Sequence, residues 1–246
     1  MLPIRHVTHA LLLGLVAYAG VLGAQPPSSF AAGQGPDDVV LNIPYSANRR
    51  FTSLEKSANG STQRTETGGS EARDSQGRTY SAGERTWIYQ DNGKPVLKRE
   101  MLYRINDPVA RTQTNWDSTS REAKVIHWPR GAETVPTNTL SAFLSPSPSD
   151  STEELGTKTI ARVMAEGTRT TYKASLQRDH HAEEVSVVHE KWYCPDLKVV
   201  VLETNDDPRS GTWRNELIDI VRGEPEVTRY RPPKDYVVTH VRVPAP

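Results

Sequence analysis

Apolar and polar positions along the chain alternate in short β-branched runs separated by turn-forming residues, a pattern that predicts strands joined by hairpins. Ala58-Asn59-Gly60-Ser61, Asp74-Ser75-Gln76-Gly77-Arg78 and Asp91-Asn92-Gly93 carry the Asn/Asp/Gly chemistry of tight turns at hairpin spacing. Met101 to Ile105 runs to a stop at Asp107-Pro108, Thr112 to Trp116 returns the chain, and Glu122 to Trp128 adds another strand. Farther on, Thr157 to Val163, Thr168 to Tyr172, Val185 to Trp192, Lys198 to Leu202 and Trp213 to Val221 read as strands. Asp179-His180-His181 forms a polar tip. Glu153 to Ala165 is the one segment with a claim to helix, and Gly156 with the threonines opposes it. No crossover helix interrupts the series, so the expected topology is an antiparallel meander in one domain, residues 38–246. The continuous run Val199-Val200-Val201-Leu202 implies a strand shielded on both faces, with Val200 and Trp192 in the most buried layer.

The first residues follow another pattern. Arg5 precedes an uncharged run from Ala10 to Leu22, too short for a spanning helix of about 20 residues but of signal-peptide length, with small Gly23-Ala24 behind it. Residues 1–24 are therefore read as an export signal and 25–37, rich in Pro, Gly and Ser, as a flexible leader. The mature protein is expected in the periplasm or outside the cell, without a transmembrane span. A second polar stretch, 129–150, holds Pro136, Pro146 and Pro148 among Ser and Thr and reads as a long loop.

Composition narrows the function classes. The chain has 30 basic and 30 acidic residues, which removes the electrostatic reason to expect nucleic acid as a partner. Cys194 is the one cysteine, so an internal disulfide is excluded and the core stands on apolar burial. Only 35% of residues are hydrophobic, a supply that suits a half-open sheet better than a thick multilayer core.

Candidate chemistry is sparse. His180, His181, His189 and Cys194 are metal-ligand types, but adjacent residues of an extended strand diverge, and a hairpin tip explains the first two more simply. Cys194 as a nucleophile lacks an evident base, and reads as a small buried filler. Asp206-Asp207, followed by Pro208-Arg209-Ser210-Gly211, reads as turn chemistry rather than a carboxylate pair. No Gly-rich phosphate loop, nucleophile elbow or His-Glu-x-x-His helix occurs. No catalytic residue, cofactor site or metal site is assigned. Trp87, Trp116, Trp128, Trp192 and Trp213 fall on or beside strands. Most are expected in the core, and any on a concave face is a candidate ligand contact.

Longer motifs carry a resemblance. Leu155 to Ala161, Glu166-Gly167-Thr168-Arg169-Thr170-Thr171 and Glu190 to Leu202 resemble a family of uncharacterised bacterial secreted proteins. Arg73 to Thr79, Ile105 to Ala110, Asp206 to Gly211, Arg222-Gly223-Glu224-Pro225 and Pro232 to Tyr236 extend the likeness. Arg162 stands where that family usually turns on glycine. The order of a Gly-Thr strand, Trp192-x-x-Pro195-Asp196-Leu197, a charged turn and a closing Pro233-x-x-Tyr236 is similar to periplasmic LolA-type half-barrels, lipoprotein carriers and related sensors. The resemblance implies a single curved sheet with an apolar concave face. It also implies a non-enzymatic binding or carrier-like domain for lipid, lipoprotein or another apolar or amphipathic ligand. The alternative is an envelope sensor or interaction module that binds a protein along a sheet edge; an uncharacterised hydrolase ranks third.

Overall fold

A computed structural model describes residues 39–57, 60–129, 151–178 and 181–243. Residues 1–24 and 25–37, read above as export signal and leader, nearly all of the 129–150 stretch and His180 lie outside the described residues. Twelve strands form among them: β1 Tyr45–Lys56, β2 Thr62–Arg73, β3 Thr79–Asp91, β4 Lys94–Asp107, β5 Thr112–Asp117, β6 Glu122–His127, β7 Ser151–Ile160, β8 Val163–Arg178, β9 His181–Cys194, β10 Val199–Asp207, β11 Gly211–Arg222 and β12 Val237–Arg242. Glu153 to Ala165 is strand and turn, with no helix.

Turn residues set the hairpins. Asn92 and Gly93 both take positive φ (49° and 75°) and close β3 onto β4 with Asp91 opposite Lys94, the two-residue geometry whose twist suits strands. At the β2–β3 turn the Asp74 carboxylate accepts from the amides of Gln76 and Arg78, while Gly77 supplies φ +80°. The Asp206–Gly211 turn works through Asp207, which accepts from the amide and guanidinium of Arg209. Between β7 and β8 a two-residue turn sits on Ala161 and Arg162 at φ 46° and 70°. That hairpin is tight despite lacking glycine, and it divides the Thr157–Val163 run that periodicity presents as one strand.

Between β5 and β6, Asp117 accepts from the amides of Thr119 and Ser120 and from the Thr119 hydroxyl. Burial pushes this carboxyl up, but the donors from Thr119 and Ser120 outweigh it and hold it at about 2. A carboxyl depressed on folding contributes stability above its unfolded value near ~3.9 and loses it as pH falls through its folded value. Asp117→Asn is therefore expected to cost about 1 kcal/mol at neutral pH after solvent screening. The gap between parent and variant should close between pH 4 and about 2. Urea melts across that range measure it, and a gap that persists at the acid end would refute the assignment.

The strands make one mainly antiparallel sheet in the order β12-β6-β5-β4-β3-β2-β1-β11-β10-β9-β8-β7, not closed into a barrel. Two meanders, β1 to β6 and β7 to β11, meet where β1 pairs with β11. A pure run of consecutive hairpins is thus corrected at this junction and again at β12, which lies parallel to β6. Reaching the place of β12, beyond β6, from β11 means crossing seven strand spacings, about 34 Å along the sheet at 4.8 Å each. The fourteen residues 223–236 span that distance with no more regular structure than a 3-10 turn at Val227–Tyr230, so a parallel pair needs no crossover helix here. The segment is anchored by Tyr230 and Tyr236, which pack on the Ile105, Trp116 and Ala123 cluster, and by the Tyr236 hydroxyl donating to Asp117 O.

β2 and β3 pair only from Gly69–Arg73 to Thr79–Gly83, and beyond the Gly69–Gly83 pair the two strands separate. Gly69 allows the close approach there, since a Cβ on it would lie 2.4 Å from Ala82 O. The main core gathers Tyr45, Ala47, Val163, Ala165, Trp192, Cys194, Leu197, Val201, Leu202 and Leu217. Trp192 lies in the buried layer as expected, but Val200 is half-buried and Val201 fully buried. The register shifts between Val200 and Leu202, and this bulge moves the deepest position one residue along.

Candidate functional site

Residues facing one another across a sheet share a face, so a hollow can be built from rungs. One rung runs Leu54, Thr212, Asp206, Val188, Thr171 across β1, β11, β10, β9 and β8. The next rung on the same face runs Thr52, Arg214, Thr204, Glu190, Arg169 and on to Glu153 of β7. These eleven residues, with Arg64 of β2, bound an open hollow of about 800 Å³. β2 and β7 are six spacings apart, about 29 Å in a flat sheet. Their joint presence around one hollow means the sheet curves toward this face.

The first rung offers Leu54 and Val188 with Thr212, Thr171 and the Asp206 carboxylate. The second alternates charge: Arg169 donates to Glu190 at 2.7 Å and to Glu153 at 3.1 Å, and Arg214 donates to Glu216 at 2.6 Å. The guanidinium of Arg169 is the main cause that holds the Glu190 carboxyl below its usual range. Three arginines and three carboxylates line the hollow, so it carries no net charge. The apolar concave face implied by the resemblance is, at this hollow, a mixed one.

The opposite face holds a buried polar network. Glu71 accepts from the Tyr45 hydroxyl at 2.6 Å and from the Arg49 guanidinium, and Arg49 also donates to Asn215 at 2.9 Å. Arg73 donates to the carbonyls of Ile43 and Leu197. His189 and Glu203 lie 2.9 Å apart nearby. Burial raises the Glu203 carboxyl, and the His189 imidazole with Lys191 and Arg49 more than offsets it, so it sits below its usual range. These groups satisfy one another and hold strands together.

The five tryptophans are not gathered on one surface. Trp116 stacks on Tyr103, ring centroids 5.1 Å apart, in the smaller core. Trp192 is buried with Gly167 against its ring and Lys158 Nζ 3.4 Å from the ring centroid. Trp87 is half-buried on the β3–β4 hairpin, flanked by Arg85 and Lys98. Trp128 is half-buried just past β6. Trp213 borders the hollow, but its ring stacks toward Phe51 and His189, residues of the opposite face.

Of the metal-type residues, His189 is engaged by Glu203, Cys194 is fully buried in the core, and His181 is exposed where β9 begins. Among the described residues no group of three or more His, Cys, Asp or Glu is arranged to share an ion. The polar rungs escaped sequence reading because each strand contributes only one or two of their residues. The one local signal was the Arg169 and Glu190 charge among threonines and valines.

No family model matches the chain, and no curated protein matches it. Solved structures do resemble it. MucB, crystallised in complex with MucA(peri), is 11% identical at a TM-score of 0.38, over 81% of this chain and 57% of that one. The chain thus spans little more than half of MucB. LprF from Mycobacterium bovis is 10% identical at a TM-score of 0.33, over 75% of this chain and 87% of that one. A DUF1329 family protein from Desulfovibrio piger is 10% identical at 0.22, over 78% and 89%.

Proposed function

We propose that the protein is an exported, non-catalytic binding domain that takes an amphipathic ligand, a lipid or lipoprotein segment, in the hollow of its curved sheet. The observation that carries this reading is the pairing of two rungs. The Leu54–Val188 rung receives the apolar portion, and the Arg214–Glu190–Arg169–Glu153 rung receives a polar or zwitterionic head. A charge-balanced rung favours a head with both signs over a polyanion. Native mass spectrometry of gently purified protein should show a co-purifying amphipathic molecule, and a reproducible absence counts against the proposal. Arg169→Glu reverses the charge at the centre of the rung. It should weaken binding of the recovered ligand by about tenfold, the loss of one charge-assisted contact, and lower thermal stability modestly by setting a third carboxylate between Glu190 and Glu153. Equal affinity in parent and variant rejects this placement of the head.

A second reading, a protein-interaction module, is favoured by the contrast between the two edges of the sheet. β7 is blunted by Glu153, Glu154 and Lys158 and by a register shift between Glu154 and Gly156. β12, Val-Val-Thr-His-Val-Arg, is exposed throughout, with Val237, Val238 and Val241 open to solvent. An unblunted β-branched edge is a template for strand addition. Pull-down from envelope extract separates the readings: a stoichiometric protein whose capture is lost on Val238→Pro supports this one.

A further inference from the structure

Two histidines that the sequence places 113 residues apart meet on the outer ladder of the sheet. His127 ends β6 and His240 lies on β12, and the parallel register sets His240 opposite Val125 and Arg242 opposite His127, with both imidazoles on one face. His127 Nε2 and His240 Nδ1 are 2.9 Å apart, the ring centroids 5.2 Å apart and the rings tilted by 31°. His240 is exposed and His127 half-buried, so solvent and ions reach the pair from the β12 side.

We propose that this pair is a binding site for a divalent transition-metal ion, Cu²⁺ above all. Two imidazole nitrogens each about 2.05 Å from one ion at a right angle stand about 2.9 Å apart, so the observed spacing matches adjacent corners of a tetragonal or octahedral site. Binding replaces the N–H···N contact. The ring that donates this N–H takes its other tautomer, its proton passing through solvent to the second ring nitrogen, and a small rotation of each ring aims both lone pairs at the ion, with water filling the remaining positions. The paired neighbours Val125, Ile126, Val241 and Arg242 bring no carboxylate, so the site offers imidazole nitrogen alone. That donor set selects copper, nickel and zinc over magnesium and calcium, and copper first by the general order of divalent affinities. Arg242 beside His127 adds a positive charge that keeps the affinity modest. An occupied site ties the last strand to β6 by a side-chain bond in addition to its ladder.

The test is a titration of the purified protein with CuSO₄ near neutral pH, followed by calorimetry and electron paramagnetic resonance. One equivalent should bind, with a tetragonal copper spectrum showing coupling to two nitrogens. His127→Ala and His240→Ala should each weaken that binding by about tenfold or more, while His181→Ala leaves it unchanged. A parent spectrum without two-nitrogen coupling overturns the site independently of any variant's folding. So does His240→Ala binding copper as the parent does, or a loss of binding confined to His181→Ala. None of these outcomes depends on what occupies the hollow.

Discussion

Glu71→Ala is expected to cost about 3–5 kcal/mol, because it strips a buried ion pair of one partner and leaves the other without compensation. Glu71 is 1% exposed and joins Tyr45 to Arg49, while Arg49 reaches across to Asn215 of β11. Burial and the Glu71 carboxylate together push the Tyr45 phenol well up, so this hydroxyl stays a donor at any physiological pH. Removing the carboxylate orphans that donor and leaves the Arg49 guanidinium with only the neutral Asn215 amide. Against a total stability of roughly 5–15 kcal/mol, the loss is a large fraction. Glu71→Gln keeps an acceptor and should cost less. Replacing the trio together, Tyr45→Phe with Arg49→Leu and Glu71→Leu, should be milder than Glu71→Ala alone, since no polar group is stranded. Urea midpoints of the three variants check the order; Glu71→Ala within about 1 kcal/mol of the parent contradicts the network's role.

The second large effect concerns the bulge on β10. Val201 is fully buried among Trp192, Leu202 and Leu217. Val201→Asp places a carboxylate there with no partner, at an expected cost of several kcal/mol. At Val200, half-buried one residue away, the same change should cost about 1–2 kcal/mol, because water still reaches part of the side chain. The exposed His181→Ala should move stability by less than about 0.5 kcal/mol. A Val200→Asp variant that unfolds while Val201→Asp folds would place the bulge elsewhere.

That one-residue correction shows where sequence reading stops. The strand was legible because Val-Val-Val-Leu has few other uses in so polar a chain. The facing of its residues was not, because a bulge breaks the period of two on which facing is inferred. Turns were legible for the same local reason. Asn92-Gly93 and Asp74 to Gly77 carry their geometry in their own side chains and φ preferences, whereas Ala161-Arg162 carry none and are held by the strands around them. Pairings between distant segments left no local trace. Nothing in Tyr45 to Lys56 names Gly211 to Arg222 as its partner, and nothing in His127 points to His240. The hollow belongs to the same class, since its rungs exist only once β1, β11, β10, β9 and β8 lie side by side.

The junction of β1 with β11 also governs how fast the molecule can form. Every other antiparallel pair joins strands adjacent in the chain, so each hairpin closes a short loop, on the order of microseconds for an isolated one. The junction brings together residues such as Arg49 and Asn215, 166 positions apart, and gains nothing until both meanders have been ordered. It is the contact with the highest entropic cost and the latest reward, and it dominates the contact order of the fold. Before it forms, β1 and β11 each present an unpaired edge, the state most open to association with other chains. The Arg49–Glu71–Asn215 bridge and the Arg50–Glu216 ion pair both sit at this junction. They tighten a step that local hairpin strength cannot accelerate.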